Sequence, residues 1–171
     1  RLADARATID DLAVSTDIIV GFPGETEADF EQTLAVAAEA EYDYAYTFIF
    51  SPREGTEAAS MEADFVDPAV VTERFERLRL VVERSALRRH EARVGRIEEV
   101  LVEGPSKRDP AVTSGRTRQN KLVHFVPPRP LRTGSYATVQ ITRGAPHFLE
   151  GTFVEFISEP IHKLRIPVAA L

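Results

Sequence analysis

Three stretches of this 171-residue chain combine residue types that could bind a ligand. Gly21-Phe22-Pro23-Gly24-Glu25-Thr26 follows a β-branched run, and its glycines would let a ligand approach the backbone closely. Ser51-Pro52-Arg53-Glu54-Gly55-Thr56 also follows an apolar run, and Arg53 could meet an anionic group. Both also read as plain turns that need Gly and Pro for their geometry, and for the first loop this is the stronger reading on residue types alone. The third stretch is basic. Between Gly104 and His147 lie Lys107, Arg108, Arg116, Arg118, Lys121, Arg129, Arg132 and Arg143, with Asp109 the only acid. Arg116, Arg118 and Asn120 alternate, which predicts one shared face of a strand, with Thr117, Gln119 and Lys121 on the other. Arg, Asn and Lys on one barrel surface suit phosphates and base edges. His124, Phe125 and Tyr136 could add stacking surfaces, although Phe125 follows Leu122-Val123 in an apolar run and reads better as core.

Other chemistries are excluded or unsupported. The chain has no cysteine, so it forms no disulfide and holds no cysteine-ligated zinc or iron–sulfur cluster. His90, His124, His147 and His162 are far apart in sequence and read as surface or turn residues, not metal ligands. No nucleophile–base pair shows a recognisable spacing, and no catalytic residue is assigned. The net charge of −6 hides a division: residues 1–93 net −10 and residues 94–171 net +4. A basic segment on an acidic chain suggests a polyanionic partner, or else a solvated surface, and charge alone does not choose. No apolar run approaches the roughly 20 residues needed to span a bilayer. The charged start, Arg1-Leu2-Ala3-Asp4, is no secretory signal, which points to the cytoplasm, and without an initiator methionine the sequence reads as part of a longer chain.

The elements that must position these stretches are legible. Residues 3–12 predict the end of a helix, residues 16–20 a short buried strand and residues 45–50 a second apolar strand. Between them Thr26 begins a helix, with Asp29 as capping-box partner and Phe30, Leu34, Ala37 and Ala38 on one face. Asp67-Pro68 starts a long helix reaching about Arg93, on the order of 40 Å, with Val71, Phe75, Leu78 and Val82 on one face and Gly95 beyond its end. The order of helix, strand, helix and strand reads as βα units of a parallel sheet. After Gly95 the pattern changes to short strands near 96–103, 114–118, 121–126, 136–142 and 151–157, punctuated by Gly and Pro, which predicts a small β-barrel. The tail from Ile161 to Leu171 is assigned to no element.

At this point the residues resemble a known family. Ser15–Thr26 together with Phe48–Thr56 is similar to the late half of the barrel in radical S-adenosylmethionine methylthiotransferases. The region from Val94 to about Phe156 looks like a TRAM domain, and Glu103–Arg108 with Gly115–Lys121 is similar to the tRNA-modifying branch. The resemblance implies an α/β partial (β/α) barrel with a long linking helix over residues 1–93. A small all-β OB-like barrel, the TRAM domain, would follow over 94–158, with a tail at 159–171. It implies that Gly21, Phe22, Pro23, Gly24, Glu25, Ser51 and Pro52 line part of an S-adenosylmethionine pocket, and that Lys107, Arg108, Arg116, Arg118, Asn120 and Lys121 bind a tRNA anticodon stem-loop. It implies two [4Fe-4S] clusters held by cysteines before Arg1, in missing amino-terminal domains. The whole protein would add a methylthio group to isopentenylated adenosine beside the anticodon, while this part alone would be inactive. The alternatives are the sister branch, which modifies a ribosomal-protein aspartate, and an RNA-binding module without chemistry.

Overall fold

A computed structural model describes residues 1–160. The chain divides into two compact units, one of Arg1–Arg93 with Gly144–His147, the other of Val94–Arg143 with the residues from Phe148. Calls on the tail beyond 160, His162 included, lie outside the described residues. Among the described residues no helix is long and apolar enough to cross a membrane.

The first unit opens with α1 (Leu2–Thr8). It is shorter than the expected 3–12: Ile9 is extended and Asp11 takes the left-handed conformation at φ 54°, so the chain turns before the acidic pair can extend the helix. β1 (Ser15–Val20) and β2 (Tyr44–Ile49) pair in parallel, with Val20 opposite Ile49. Between them runs α2 (Glu27–Ala40). Its start is set by the predicted capping box: the Asp29 amide donates to Thr26 Oγ1, and the Thr26 amide donates to the Asp29 carboxylate. α3 (Pro68–Glu91) follows two short 3-10 turns; Asp67 caps it and Pro68 needs no amide partner at the first position. Val20, Phe30, Ala37, Ala45, Leu78 and Val82 form the core, so α2 and α3 both bury a stripe against the sheet. Burying Phe30 or Leu78 contributes about 1.5–3 kcal/mol each. Ala38, expected on that stripe, is exposed.

The second unit is a closed barrel of five strands in the order β3-β4-β5-β7-β6. They are β3 (Ile97–Pro105), β4 (Thr113–Thr117), β5 (Leu122–Val126), β6 (Tyr136–Gly144) and β7 (Leu149–Ser158). Every predicted strand is present to within a few residues. β3 and β6 close the barrel antiparallel, and β5 and β7 pair in parallel. Strict alternation in β3 puts Val100 and Val102 inside and Leu101 and Glu103 outside. Val123, Phe125, Val139, Ile141 and Leu149 complete the interior, which places Phe125 in the core and leaves Tyr136 38% exposed.

Candidate nucleic-acid interface and loop site

The Gly21–Thr26 loop is held from beneath. Gly21 has φ +76°, and a Cβ there would lie 2.6 Å from a Val71 methyl, so only glycine fits. The Glu25 carboxylate accepts the Gly21 amide at 3.0 Å and the Arg74 guanidinium at 2.8 Å. Arg74 also donates to the Glu25 carbonyl and to Glu27, lies over the Phe30 ring, and is only 4% exposed. Around it Arg77 joins Glu27, Glu31 and Glu73. Hydrogen bonds from Arg77 and Arg74 hold the Glu27 carboxyl below its ordinary range against the opposing effect of burial. Glu25 is therefore a fastener of the loop, and Pro23 is buried. The Gly24 amide donates to the Asp64 carbonyl, and the Glu25 amide to the Phe22 carbonyl. What the loop presents outward is Phe22, 46% exposed, in edge contact with Phe50, which meets Phe65. Open space lies over Gly24, and Ser51 and Pro52 are exposed. The Arg74 network had no signal in the sequence, because Glu25 and Arg74 are 49 residues apart and meet only when α3 packs on α2.

On the barrel the structure changes the expected grouping of basic residues. β4 ends at Thr117, and the Asn120 amide closes a turn on the Thr117 carbonyl with Asn120 left-handed at φ 59°. Arg118 and Asn120 thus sit in the β4–β5 turn and share no strand face with Arg116. Asn120 is there because asparagine tolerates that conformation. Lys121 is 4% exposed and its amide donates to Thr117 Oγ1, so it belongs to the buried residues and not to an exposed basic face. Arg116 points outward, donating to Glu103 and to the Asn120 carbonyl, and so braces the turn. Lys107, Arg108 and Arg118 are exposed, and none has a side-chain partner among the described residues. They flank β4 at its two ends: Lys107 and Arg108 in the preceding loop, Arg118 in the following turn.

Next to this lies His124. Strand register aligns Ser114, His124 and Glu150 across β4, β5 and β7. Ser114 Oγ lies 3.0 Å from His124 Nδ1. Burial pushes the imidazole below its ordinary 6.5; the Glu150 carboxylate opposes this and Arg108 reinforces it. The folded barrel therefore favours the neutral ring, and the unfolded chain takes up the proton more readily. The resulting stability is present above about pH 6.5 and lost as pH falls through the depressed folded value. Denaturant midpoints of the barrel at pH 7 and pH 5 should differ less in His124→Gln than in the parent, and equal differences would remove His124 from this account.

His90 departs from the surface reading: it is buried, with Nδ1 against the Ala145 carbonyl. Among the described residues no group of three or more His, Cys, Asp or Glu side chains is placed to hold a metal ion.

Residues 91–154 match the TRAM domain. The chain is 48% identical over 154 residues to the tRNA-2-methylthio-N(6)-dimethylallyladenosine synthase of Moorella thermoacetica, covering 90% of this chain and 34% of that protein. Proteins of the same name from Kineococcus radiotolerans and Geobacillus kaustophilus are each 50% identical, over 85% and 87% of this chain and 29% and 28% of theirs. The chain thus spans about a third of the length of the curated relatives it matches. These matches agree with the family resemblance of the motifs.

Proposed function

We propose that this chain, which carries a TRAM domain, is the carboxy-terminal part of a tRNA methylthiotransferase, and that its barrel is the part that grips the RNA. The observation that carries the reading is the set of exposed, unpartnered cations at both ends of β4, on a domain whose relatives are named for a tRNA modification. Lys107, Arg108 and Arg118 supply phosphate contacts, and Arg116 contributes from the outer face of β4 while bracing the turn. Asn120 acts by shaping that turn. An anticodon stem-loop is the substrate element this surface receives, and the cytoplasm is where the reaction takes place.

In the first unit we assign the Gly21–Glu25 loop, with Ser51 and Pro52, to the wall of an S-adenosylmethionine pocket in a partial (β/α) barrel completed by amino-terminal domains. Two features of the loop fit a planar adenosine group: the exposed Phe22 ring and the open space over Gly24. S-adenosylmethionine, when bound, supplies the radical and the methyl group for the methylthio transfer to isopentenylated adenosine. This chain's residues do not fit the [4Fe-4S] clusters, because it has no cysteine. Cluster ligation falls to the rest of the protein, and the chain alone is inactive. Its own contribution is orientation: Glu25 and Arg74 fix the loop, and Phe50 braces the exposed Phe22 ring from its edge.

Binding of the chain to an anticodon stem-loop across a salt series tests the reading. Affinity should fall steeply with salt and exceed that for a scrambled hairpin. Arg118→Ala and Lys107→Ala should each weaken binding and reduce the logarithmic salt slope by about 0.7–0.9, one phosphate contact apiece. Lys121→Ala should lower stability and leave the slope in place. Salt-insensitive binding, or equal binding to any hairpin, would remove tRNA recognition from this unit.

A further inference from the structure

Beside the unpartnered cations the barrel carries a second kind of surface, one whose charges cancel. Phe148, just before β7, meets His124 edge to face, with ring centroids 5.2 Å apart and planes at 62°. The Arg143 guanidinium lies over the Phe148 ring, 5.4 Å from its centroid. Arg143 is held there by a two-pronged ion pair with Glu150, in which Nε donates at 2.7 Å. That hydrogen bond draws the Glu150 carboxyl below its ordinary range. Ser114 holds one nitrogen of His124, and the other has no protein partner among the described residues. Arg143 and Glu150 remain substantially exposed, and His124 and Phe148 are half-buried.

A phosphate would find little attraction here, because Glu150 neutralises Arg143. A flat, uncharged, hydrogen-bonding group would find much more. It could stack on an aromatic ring or on a guanidinium whose plane is already fixed, beside an imidazole nitrogen able to pair with its edge. Those are the means by which proteins hold an unstacked nucleobase. The ion pair fixes Arg143 before any ligand arrives, which lowers the ordering cost of binding. Register places His124 opposite Ser114 on β4, the strand whose two ends carry the exposed cations Lys107, Arg108 and Arg118.

We infer that His124, Phe148 and Arg143 form a stacking site for one unpaired base of the bound RNA. The inference rests on the RNA-binding reading above and divides its labour: loop cations take phosphates, and this cluster takes a base.

The test uses the whole chain, a hairpin RNA with an unpaired loop, a set of the same hairpin each made abasic at one loop position, and a fully paired duplex of equal length. Phe148→Ala should weaken binding to the loop RNA roughly 5- to 150-fold, the range expected for one lost base stack. The salt slope should not change, because no phosphate contact is lost. The loss should shrink towards onefold on the duplex and on one of the abasic hairpins, and Phe148→Tyr should restore binding. If Phe148→Ala also lowers the melting temperature, Phe148→Leu, which keeps the bulk without the ring, and the exposed Arg143→Ala decide. Parent affinity in both folded variants would overturn the inference while leaving RNA binding intact. Failure of the parent chain to bind any of the RNAs would overturn both.

Discussion

Gly115→Ala is expected to cost the barrel about 1–3 kcal/mol or more. Gly115 faces the interior of β4, opposite Val102 on β3. A Cβ added there would lie 2.5 Å from the Leu101 carbonyl oxygen and 2.5 Å from a Val100 methyl. The methyl could rotate away, but the carbonyl is part of the β3 backbone. β3 pairs with β4 on one side and β6 on the other, so yielding at Leu101 would disturb two ladders at once. Because the chain has two compact units, unfolding should be followed with probes for each. Amide exchange at Val100, Val123 and Val139 reports the barrel, and at Val20 and Leu78 the other unit. The barrel amides should lose protection while the others keep it. Parent-like protection throughout would mean that β3 can shift at little cost. Gly151→Ala makes an independent check, since its Cβ would meet a Val139 methyl at 2.4 Å and the Gln140 carbonyl oxygen at 2.6 Å.

The same glycine shows what the sequence made legible. Strand positions on the barrel could be read because inside and outside alternate with period two, as in Val100, Leu101, Val102 and Glu103. Helix starts could be read because capping is local: Thr26 and Asp29 are three residues apart, and Asp67 abuts Pro68. The closed five-strand barrel followed from those signals. What failed was the extrapolation of alternation past the end of a strand. Arg116, Arg118 and Asn120 obey the pattern in sequence, yet the chain turns after Thr117, and the left-handed Asn120 belongs to the turn. Lys121 enters the RNA-binding set through the resemblance of Gly115–Lys121 to the tRNA-modifying branch, and its burial depends on the barrel closing around it. Nor could spacing reveal the alignment of Ser114, His124 and Glu150, since β5 and β7 are paired in parallel across an intervening strand in sequence. His124 was a visible stacking candidate, whereas Phe148 and Arg143 gained meaning only from their contacts with it.

Arg74→Met is expected to destabilise the first unit by about 3–5 kcal/mol, the usual cost of leaving one partner of a buried ion pair behind. The Glu25 side chain is 11% exposed and would retain only the Gly21 amide as a donor. Arg74→Lys should recover little. A single ammonium cannot reach the Glu25 carboxylate, the Glu25 carbonyl and Glu27 together, as the guanidinium fork does. Glu25→Gln in the Arg74→Met background should restore much of the loss, because it removes the stranded charge and keeps an acceptor for Gly21. A denaturation series on the four chains of this double-substitution cycle measures the coupling. If Arg74→Met costs less than about 1 kcal/mol, the pair behaves as a solvated surface pair and the loop needs no such anchor. A strong coupling would carry a functional consequence. Glu25 would then serve the proposed pocket by holding Gly21, and through it Phe22 and Gly24, in place. Its loss would change the shape of the loop before removing any contact to a ligand.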